Sequence, residues 1–162
     1  MAEIRPARTG DVDAVVGLWL QLAKTHERLD ERFKLVEKPE VIWRNHILSV
    51  MENPDCRVVV AVEDGVVVGF ANGSVGKRPP FFAERIHGDI NDLYVDESHR
   101  RRGIGTRLVE SLLQWFRARG ITSYQAQFYT RNKAAKAFWS RIGFQGSMHK
   151  VIRHEHCSPK GA

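Results

Sequence analysis

Three consecutive arginines and two nearby glycines form the stretch of the sequence best suited to chemistry. Arg100, Arg101 and Arg102 are followed by Gly103 and Gly105, and an amphipathic segment begins directly afterwards. The first amides of a helix have no partner within the helix, and they bind anions, above all phosphates. Glycine has no Cβ, so a ligand can approach its backbone closely. The sequence therefore predicts a cradle for a diphosphate group.

Two common phosphate-binding loops do not match this stretch. A dinucleotide-binding fingerprint would require a third glycine at the position of Leu108. A P-loop would require a Gly-Lys-Ser/Thr sequence, which does not occur here. The simplest alternative to a binding loop is a tight turn with solvated arginines.

Strand and helix patterns alternate around the cradle, and their order predicts a mixed α/β fold. Helices are expected after a Thr9 cap, after Pro39, from about Gly105 to Arg119, and after an Asn132 cap. Strands are expected near Ile4, at Arg57–Glu63, Val66–Ala71, Ile86–Val95, Thr122–Tyr129 and Phe144–Ile152. The Asp64-Gly65 pair predicts a hairpin turn, and Gly76–Arg85 is typical of a loop.

Length and composition limit the classes of protein that the chain can represent. Its 162 residues suit one domain, which we place at 1–153, with a mobile tail at 154–162. Two cysteines are too few for a disulfide framework, and no signal peptide or membrane span is visible, so we expect a cytoplasmic protein. The formal net charge of +6 favours an anionic partner.

Two sequence blocks resemble those of the GNAT superfamily of acyl-CoA-dependent N-acyltransferases. The first is Arg100-Arg-Arg-Gly103-Ile-Gly105, which follows Leu93-Tyr-Val95, and the second runs from Asn132 through Ala135, Phe138 and Trp139 to Phe144. The resemblance covers about residues 3–153. It implies an α/β (α+β) fold with a mixed, mostly antiparallel sheet of six to seven strands. About four helices would flank the sheet, and two parallel strands would splay apart.

The resemblance also implies that acetyl-CoA is the co-substrate. The residues expected to bind it are Leu93, Tyr94, Val95, Arg100, Arg101, Arg102, Gly103, Ile104, Gly105, Thr106, Asn132, Ala135 and Phe138. The backbone N–H of Val95 would face the thioester oxygen. Asn132 could instead serve only as a helix cap, and the spacing of Phe138 is also that of a core residue.

The implied reaction is direct attack of a primary amine on the thioester, which requires a neutral amine. Asp89 and Asp92 are the leading candidate bases, with Glu84 and His87 nearby. In a regular strand Asp89 would share a face with Val95, and Asp92 would lie on the other face. A bulge in the strand would alter this arrangement.

The family's usual acid is a tyrosine, and Trp139 occupies that position here. The indole N–H of tryptophan cannot supply a proton at accessible pH. Tyr129 is a weak candidate acid, Tyr94 is another substitute, and a thiolate could also leave without a dedicated acid. We prefer the reaction without one.

The acceptor is expected to be a small-molecule amine or a peptide N-terminus, and Trp43, Phe81 and Phe82 are candidate contacts for it. His26 is expected on a solvated helix face. The tail sequence His154-Glu-His156-Cys157 has the residue types of metal ligands, but we expect no metal. We also expect no nucleic-acid or membrane partner, whereas a homodimer is possible. The competing functions are a non-catalytic acyl-CoA-binding regulator and a nucleic-acid-binding module.

Overall fold

Five strands form one sheet, and four α-helices cover its faces within the part of the chain that the structure describes, residues 1–153. The structure is a computed structural model. In chain order the elements are β1 (Glu3–Pro6), α1 (Val12–Leu29), α2 (Pro39–Glu52), β2 (Cys56–Glu63), β3 (Val66–Lys77), β4 (Ile86–Val95), α3 (Ile104–Ala118), β5 (Tyr124–Ala126) and α4 (Lys133–Arg141). The predicted α/β class is confirmed.

The sheet has the strand order β1-β2-β3-β4-β5, and its last pair is the one that matters for a site. The first three pairings are antiparallel, whereas β4 and β5 run parallel. Their pairing covers only Gly88–Ile90 of β4 against Tyr124–Ala126. Beyond this point β4 continues to Val95 without its neighbour, so the two strands separate and leave a gap between them. This confirms the expected splay of two parallel strands.

Two hydrophobic clusters hold the helices against opposite faces of the sheet. On one face α3 packs through Leu108, Leu112 and Phe116, and Trp139 of α4 belongs to the same cluster. On the other face α1 and α2 pack together with Phe70 and Tyr94 of the sheet. Because apolar residues recur on one side of each helix, burial of that side stabilises the helix and fixes its orientation.

A β-bulge in β4 changes which residues share a face. Asn72 of β3 lies opposite Asp92, and the next residue, Gly73, lies opposite Ile90, so Asn91 is the extra residue. Ile90 lies before the bulge, and Leu93 and Val95 lie after it. All three pack in the hydrophobic cluster that contains the buried side of α3, which we call the α3 cluster. One inserted residue reverses the alternation of side chains along a strand.

The bulge brings Asp89 and Asp92 onto the same face, which corrects the prediction for a regular strand. The carboxylate of Asp89 lies beside Gly76, on the α1–α2 side of the sheet. Asp92 faces the same side, because its carboxylate is bonded to Asn72 and its neighbour Tyr94 packs in the α1–α2 cluster. Both acids therefore lie opposite the face that α3 covers.

Several predicted boundaries were wrong. The sheet has five strands in the described residues rather than six or seven, because 144–153 forms no strand there. The strand expected at Thr122–Tyr129 is reduced to β5, since the chain leaves β4 after Ala126. Thr9 begins a short 3₁₀ turn, and α1 is capped by Asp11 instead. β3 extends to Lys77, into the segment expected to be a loop.

Two expectations concern the remainder of the chain and membranes. The tail at 154–162, with its His154–Cys157 sequence, lies outside the described residues. Among the helices at positions 1–153, none has the length and apolar character needed to cross a membrane.

Candidate active site

The N-terminus of α3 presents backbone amides that have no hydrogen-bond acceptor among residues 1–153. Gly103 caps the helix with φ of +78°, a conformation that glycine adopts without the steric cost of a Cβ. The first helical hydrogen bond runs from Arg107 N–H to the Gly103 carbonyl, at 3.1 Å. Within residues 1–153 no protein group accepts a hydrogen bond from the preceding amides, those of Ile104, Gly105 and Thr106. These amides and the positive end of the helix dipole can bind an anion.

The three arginines before this helix have different partners. Arg100 donates to the Val95 carbonyl through Nε at 2.9 Å, and its guanidinium lies 5.1 Å from the Tyr94 ring centroid. Arg102 forms a bidentate ion pair with Glu63, at 2.9 and 3.0 Å. Arg101 is exposed and has no hydrogen bond or ion pair with any other residue in the described part of the chain. Only Arg101 is therefore free to supply its charge to a ligand.

The gap between β4 and β5 exposes backbone groups near the end of β4. Asp96 donates its N–H to the Val68 carbonyl of β3, at 2.9 Å. Backbone groups of successive residues in a strand point to alternate sides, so the N–H of Val95 points away from β3. The Val95 carbonyl, which accepts from Arg100 at 2.9 Å, points the same way. The Val95 amide therefore faces the gap.

Side chains from three elements meet beside the gap. A Cβ added to Gly105 would lie 3.3 Å from a ring carbon of Phe138 and 3.8 Å from Val95 Cγ2. Leu93, Val95, Ala135 and Phe138 all pack on the α3 cluster. Asn132 caps α4 by accepting from the Ala135 N–H at 2.9 Å, as its spacing predicted. The structure thus brings together most residues of the predicted cofactor site.

Asp92 is a half-buried carboxylate with a single hydrogen-bond partner among residues 1–153. Asn72, which is buried, donates through Nδ2 to Asp92 Oδ2 at 2.7 Å. Burial raises the pKa of Asp92 above its ordinary value, because it disfavours the charged form. The hydrogen bond from Asn72 and the charges of His26 and His46 act in the opposite direction. A carboxylate with a raised pKa is a better proton acceptor at neutral pH.

His26 lies within electrostatic range of Asp92, so the expectation of a solvated face was wrong. Burial lowers the pKa of His26, which favours its neutral form. Its ring packs edge-on against Tyr129 at 4.8 Å, and Phe33 packs against the same tyrosine at 4.7 Å. Burial also raises the pKa of Tyr129. These rings form an aromatic cluster between α1 and the segment that follows β5.

Asp89 has partners that give it a structural role. His87 Nε2 lies 3.3 Å from its Oδ2, and Gln125 of β5 donates to its Oδ1 at 2.6 Å. These contacts join β4 to β5 at the closed end of the gap. Both of its oxygens are therefore engaged, whereas one oxygen of Asp92 accepts no hydrogen bond within the described residues.

The three aromatic residues suggested for the acceptor lie in different environments. Trp43 is buried in the α1–α2 cluster, stacked 4.8 Å from Trp19, and this placement argues against contact with a substrate. Phe81 and Phe82 are exposed and pack against each other at 4.8 Å in the β3–β4 loop. That loop lies at the opposite end of β4 from Val95, so acceptor contact by these two residues stays a prediction.

Sequence reasoning missed two residues of this site. Asn72 is an amide that directly follows the apolar run Val66–Ala71 of β3, and a buried polar residue at such a position signals a hydrogen-bond partner. Glu63 carries no local signal, because its partner Arg102 is distant in the chain. Trp139, which stands where the sequence resemblance implies a tyrosine acid, is buried in the core. Among residues 1–153 no group of three or more potential ligands could hold a metal ion.

Comparison with known proteins places these features in a family. Residues 19–144 match the model of the acetyltransferase (GNAT) family. The N-alpha-acetyltransferase RimI of Mycobacterium tuberculosis is 36% identical over 96 residues, which cover 59% of this chain. This chain spans only 56% of that relative's length.

Two solved structures are similar to the whole fold. A tetramutant of the BH1408 protein of Bacillus halodurans has a TM-score of 0.86 at 21% identity, covering 94% of this chain and 99% of that one. The aminoglycoside N-acetyltransferase AAC(6')-Iy in complex with CoA has a TM-score of 0.77 at 17% identity, covering 97% and 96%. At these identities the structures support the fold. The match of the family model over residues 19–144 shows that the chain belongs to the acetyltransferase (GNAT) family.

Proposed function

We propose that this protein transfers the acetyl group of acetyl-CoA to a primary amine in a ternary complex. The observation that carries the proposal is that two groups with the required chemistry lie close together along β4. The Val95 amide faces the gap, and the Asp92 carboxylate lies three residues earlier, on the face covered by α1 and α2. A carbonyl oxygen and an amine could therefore meet at one strand.

The acetyl-CoA side of this site consists of the α3 N-terminus and the gap. Acetyl-CoA supplies an activated acetyl group as a thioester. The open amides of Ile104, Gly105 and Thr106, with the free guanidinium of Arg101, suit a diphosphate. The backbone edges of Leu93 and Val95 suit the amide groups of the pantetheine arm. An aminoglycoside acetyltransferase of the same fold is known in complex with CoA, which supports this assignment.

On the acceptor side, Asp92 removes the proton from the amine. An alkylamine with a pKa of about 10.4 costs about 4.6 kcal/mol to deprotonate at pH 7, and an α-amine near 8 costs about 1.4 kcal/mol. We assign Asp92 this role rather than Asp89, because Asp89 is held by His87 and Gln125. Asn72 orients the Asp92 carboxylate. The Val95 N–H donates to the carbonyl oxygen as negative charge develops there.

The acceptor is a small-molecule amine or a peptide N-terminus. One relative is named as an N-alpha-acetyltransferase, and a structural neighbour as an aminoglycoside N-acetyltransferase. One half-buried carboxylate within electrostatic range of His26, whose ring packs against Tyr129, suits a single amino group.

A screen of amines tests this function through the release of free thiol from acetyl-CoA. The panel holds polyamines, amino acids, aminoglycosides and short peptides with free N-termini, with acetyl-CoA alone as the control for hydrolysis. We expect amine-dependent thiol release with at least one class, and mass spectrometry should find the acetylated amine. CoA binding with no turnover across the panel would favour the non-catalytic regulator instead. Absence of CoA binding would overturn the proposal.

A further inference from the structure

Glu63 is the shared partner of three groups near the arginine loop, which we define as residues 96–103. It is the last residue of β2, and its side chain is only 13% exposed. Its two oxygens accept the bidentate pair from Arg102, at 2.9 and 3.0 Å. His99 Nε2 lies 3.5 Å from Oε2, and the amino group of Met1 lies 3.7 Å from Oε1. A bidentate pair fixes the plane of a guanidinium as well as its position.

The arginine loop is also tied to β4 at its other end. Arg100 bonds to the Val95 carbonyl, and Asp96 accepts from the Ser98 N–H at 3.0 Å. His99 lies between the two acidic residues, 3.3 Å from Asp96 through Nδ1. The loop is therefore held from both sides in the ligand-free protein. Within it Arg101 adopts φ of +64°, an unusual conformation for a residue with a Cβ.

We propose that Glu63 is a positioning residue for coenzyme binding, which it serves by holding the arginine loop in place beside the first amides of α3. It fixes Arg102 and neutralises its charge, so that Arg101 supplies the free charge beside the α3 amides. The inference rests on the proposed function to the extent that this cradle binds CoA. Under this proposal the three adjacent arginines have different roles, although they are the same residue type.

Exchange of backbone amides tests the structural half of this inference without any ligand. Glu63→Gln keeps the size of the side chain and removes its charge. We expect faster hydrogen exchange at residues 96–103 in the ligand-free variant, and unchanged exchange in α1 and α2. Glu97→Gln is the matched control, because Glu97 lies in the same loop and its side chain pairs, within residues 1–153, only with the exposed Arg100, at 3.5 Å. Equal protection in Glu63→Gln and the unmodified protein would overturn the proposal.

Calorimetric titration with CoA tests the binding half. Glu63→Gln should weaken CoA binding about fivefold, in the range expected for one incompletely buried ion pair, whereas Glu97→Gln should stay within about twofold. The KM for acetyl-CoA should rise in parallel, with kcat unchanged at saturation. Unchanged CoA affinity in a folded Glu63→Gln protein would contradict the proposal.

Variants of the arginines separate the two roles. Arg102→Gln should reproduce the exchange pattern of Glu63→Gln, and the double variant should bind CoA no more weakly than either single one. Arg101→Gln should preserve loop protection and reduce the salt dependence of CoA binding. If the salt dependence of CoA binding falls with Arg102→Gln and not with Arg101→Gln, the separate roles proposed for these two arginines are wrong. If the unmodified protein binds no CoA, the proposed function fails, and the exchange experiment still decides whether Glu63 holds the loop.

Discussion

Asn72 and Asp92 are joined across the β3–β4 pair by a 2.7 Å hydrogen bond between buried Asn72 Nδ2 and Asp92 Oδ2. The bond exists because the bulge at Asn91 turns Asp92 toward the α1–α2 face, where Asn72 also lies. It holds one carboxylate oxygen, and the other has no hydrogen bond within residues 1–153. The predictions below begin from this pair.

Replacement of Asp92 tests the proposed base. Asp92→Asn should lower kcat/KM by about 10²–10⁴-fold, the range typical of a lost general base. The variant should fold, because the new amide oxygen can still accept from Asn72. Asp89→Asn is the control, and we expect it to affect stability more than turnover. Full activity of Asp92→Asn across the pH range would exclude this role for Asp92.

The same variant should be more stable than the unmodified protein at neutral pH. Because burial raises the pKa of Asp92 in the folded state, the folded protein binds this proton more tightly than the unfolded chain does. Stability therefore falls as pH rises from the unfolded value near 3.9 through the raised folded value. Asp92→Asn removes this loss, so thermal unfolding should show a higher Tm at pH 7. The difference should vanish below about pH 4, and a lower Tm at pH 7 would contradict the prediction.

Loss of the Asn72 donor should shift the pH dependence of the reaction. The hydrogen bond stabilises the charged form of Asp92, so Asn72→Leu should raise the pKa of Asp92 further. The acidic limb of the kcat/KM profile should then move to higher pH. Ser74→Ala serves as the control, since Ser74 pairs with the exposed Asn91 at 3.0 Å and not with Asp92. An acidic limb that stays in place would show that Asp92 does not govern it.

Two substitutions of Gly103 separate backbone strain from charge. Because φ is +78°, Gly103→Ala should lower the free energy of unfolding by about 1–2 kcal/mol, which chemical denaturation measures. Gly103→Glu adds a negative charge at the α3 N-terminus. It should weaken CoA binding by about tenfold or more beyond the alanine variant, as about 1.4 kcal/mol of repulsion would produce. Equal CoA affinities of the two folded variants would argue against a diphosphate at this position.

The hydroxyl of Tyr129 should be dispensable. Burial raises the pKa of Tyr129 above 10, so donation to a thiolate with a pKa near 8.5 would be uphill. Tyr129→Phe retains the ring contacts with His26 and Phe33, and its kcat should stay within about threefold of the unmodified value. A thousandfold fall in kcat with intact folding would restore Tyr129 as the acid.

The sequence by itself determined the features that depend on short stretches of chain. The arginines and glycines before α3 predicted the open helix N-terminus, and the spacing at Asn132 predicted the cap that binds the Ala135 amide. The Asp64-Gly65 turn and the apolar runs beside it predicted the β2–β3 hairpin. These predictions succeeded because backbone conformation, capping and local periodicity depend mainly on neighbouring residues.

Only the tertiary structure distinguished the environments of the chemically similar candidate residues. Asp89 and Asp92 were both candidate bases, and their partners distinguish them: His87 and Gln125 engage Asp89, whereas Asn72 bonds to Asp92. Arg102 differs from its two neighbours because it pairs with Glu63, which is distant in the chain. No local sequence pattern reveals this partner. Burial, pairing across strands and ion pairs between distant segments depend on how the whole chain packs. For that reason the unpartnered N-terminus of α3 could be predicted from the sequence, and the proposed choice of Asp92 over Asp89 could not.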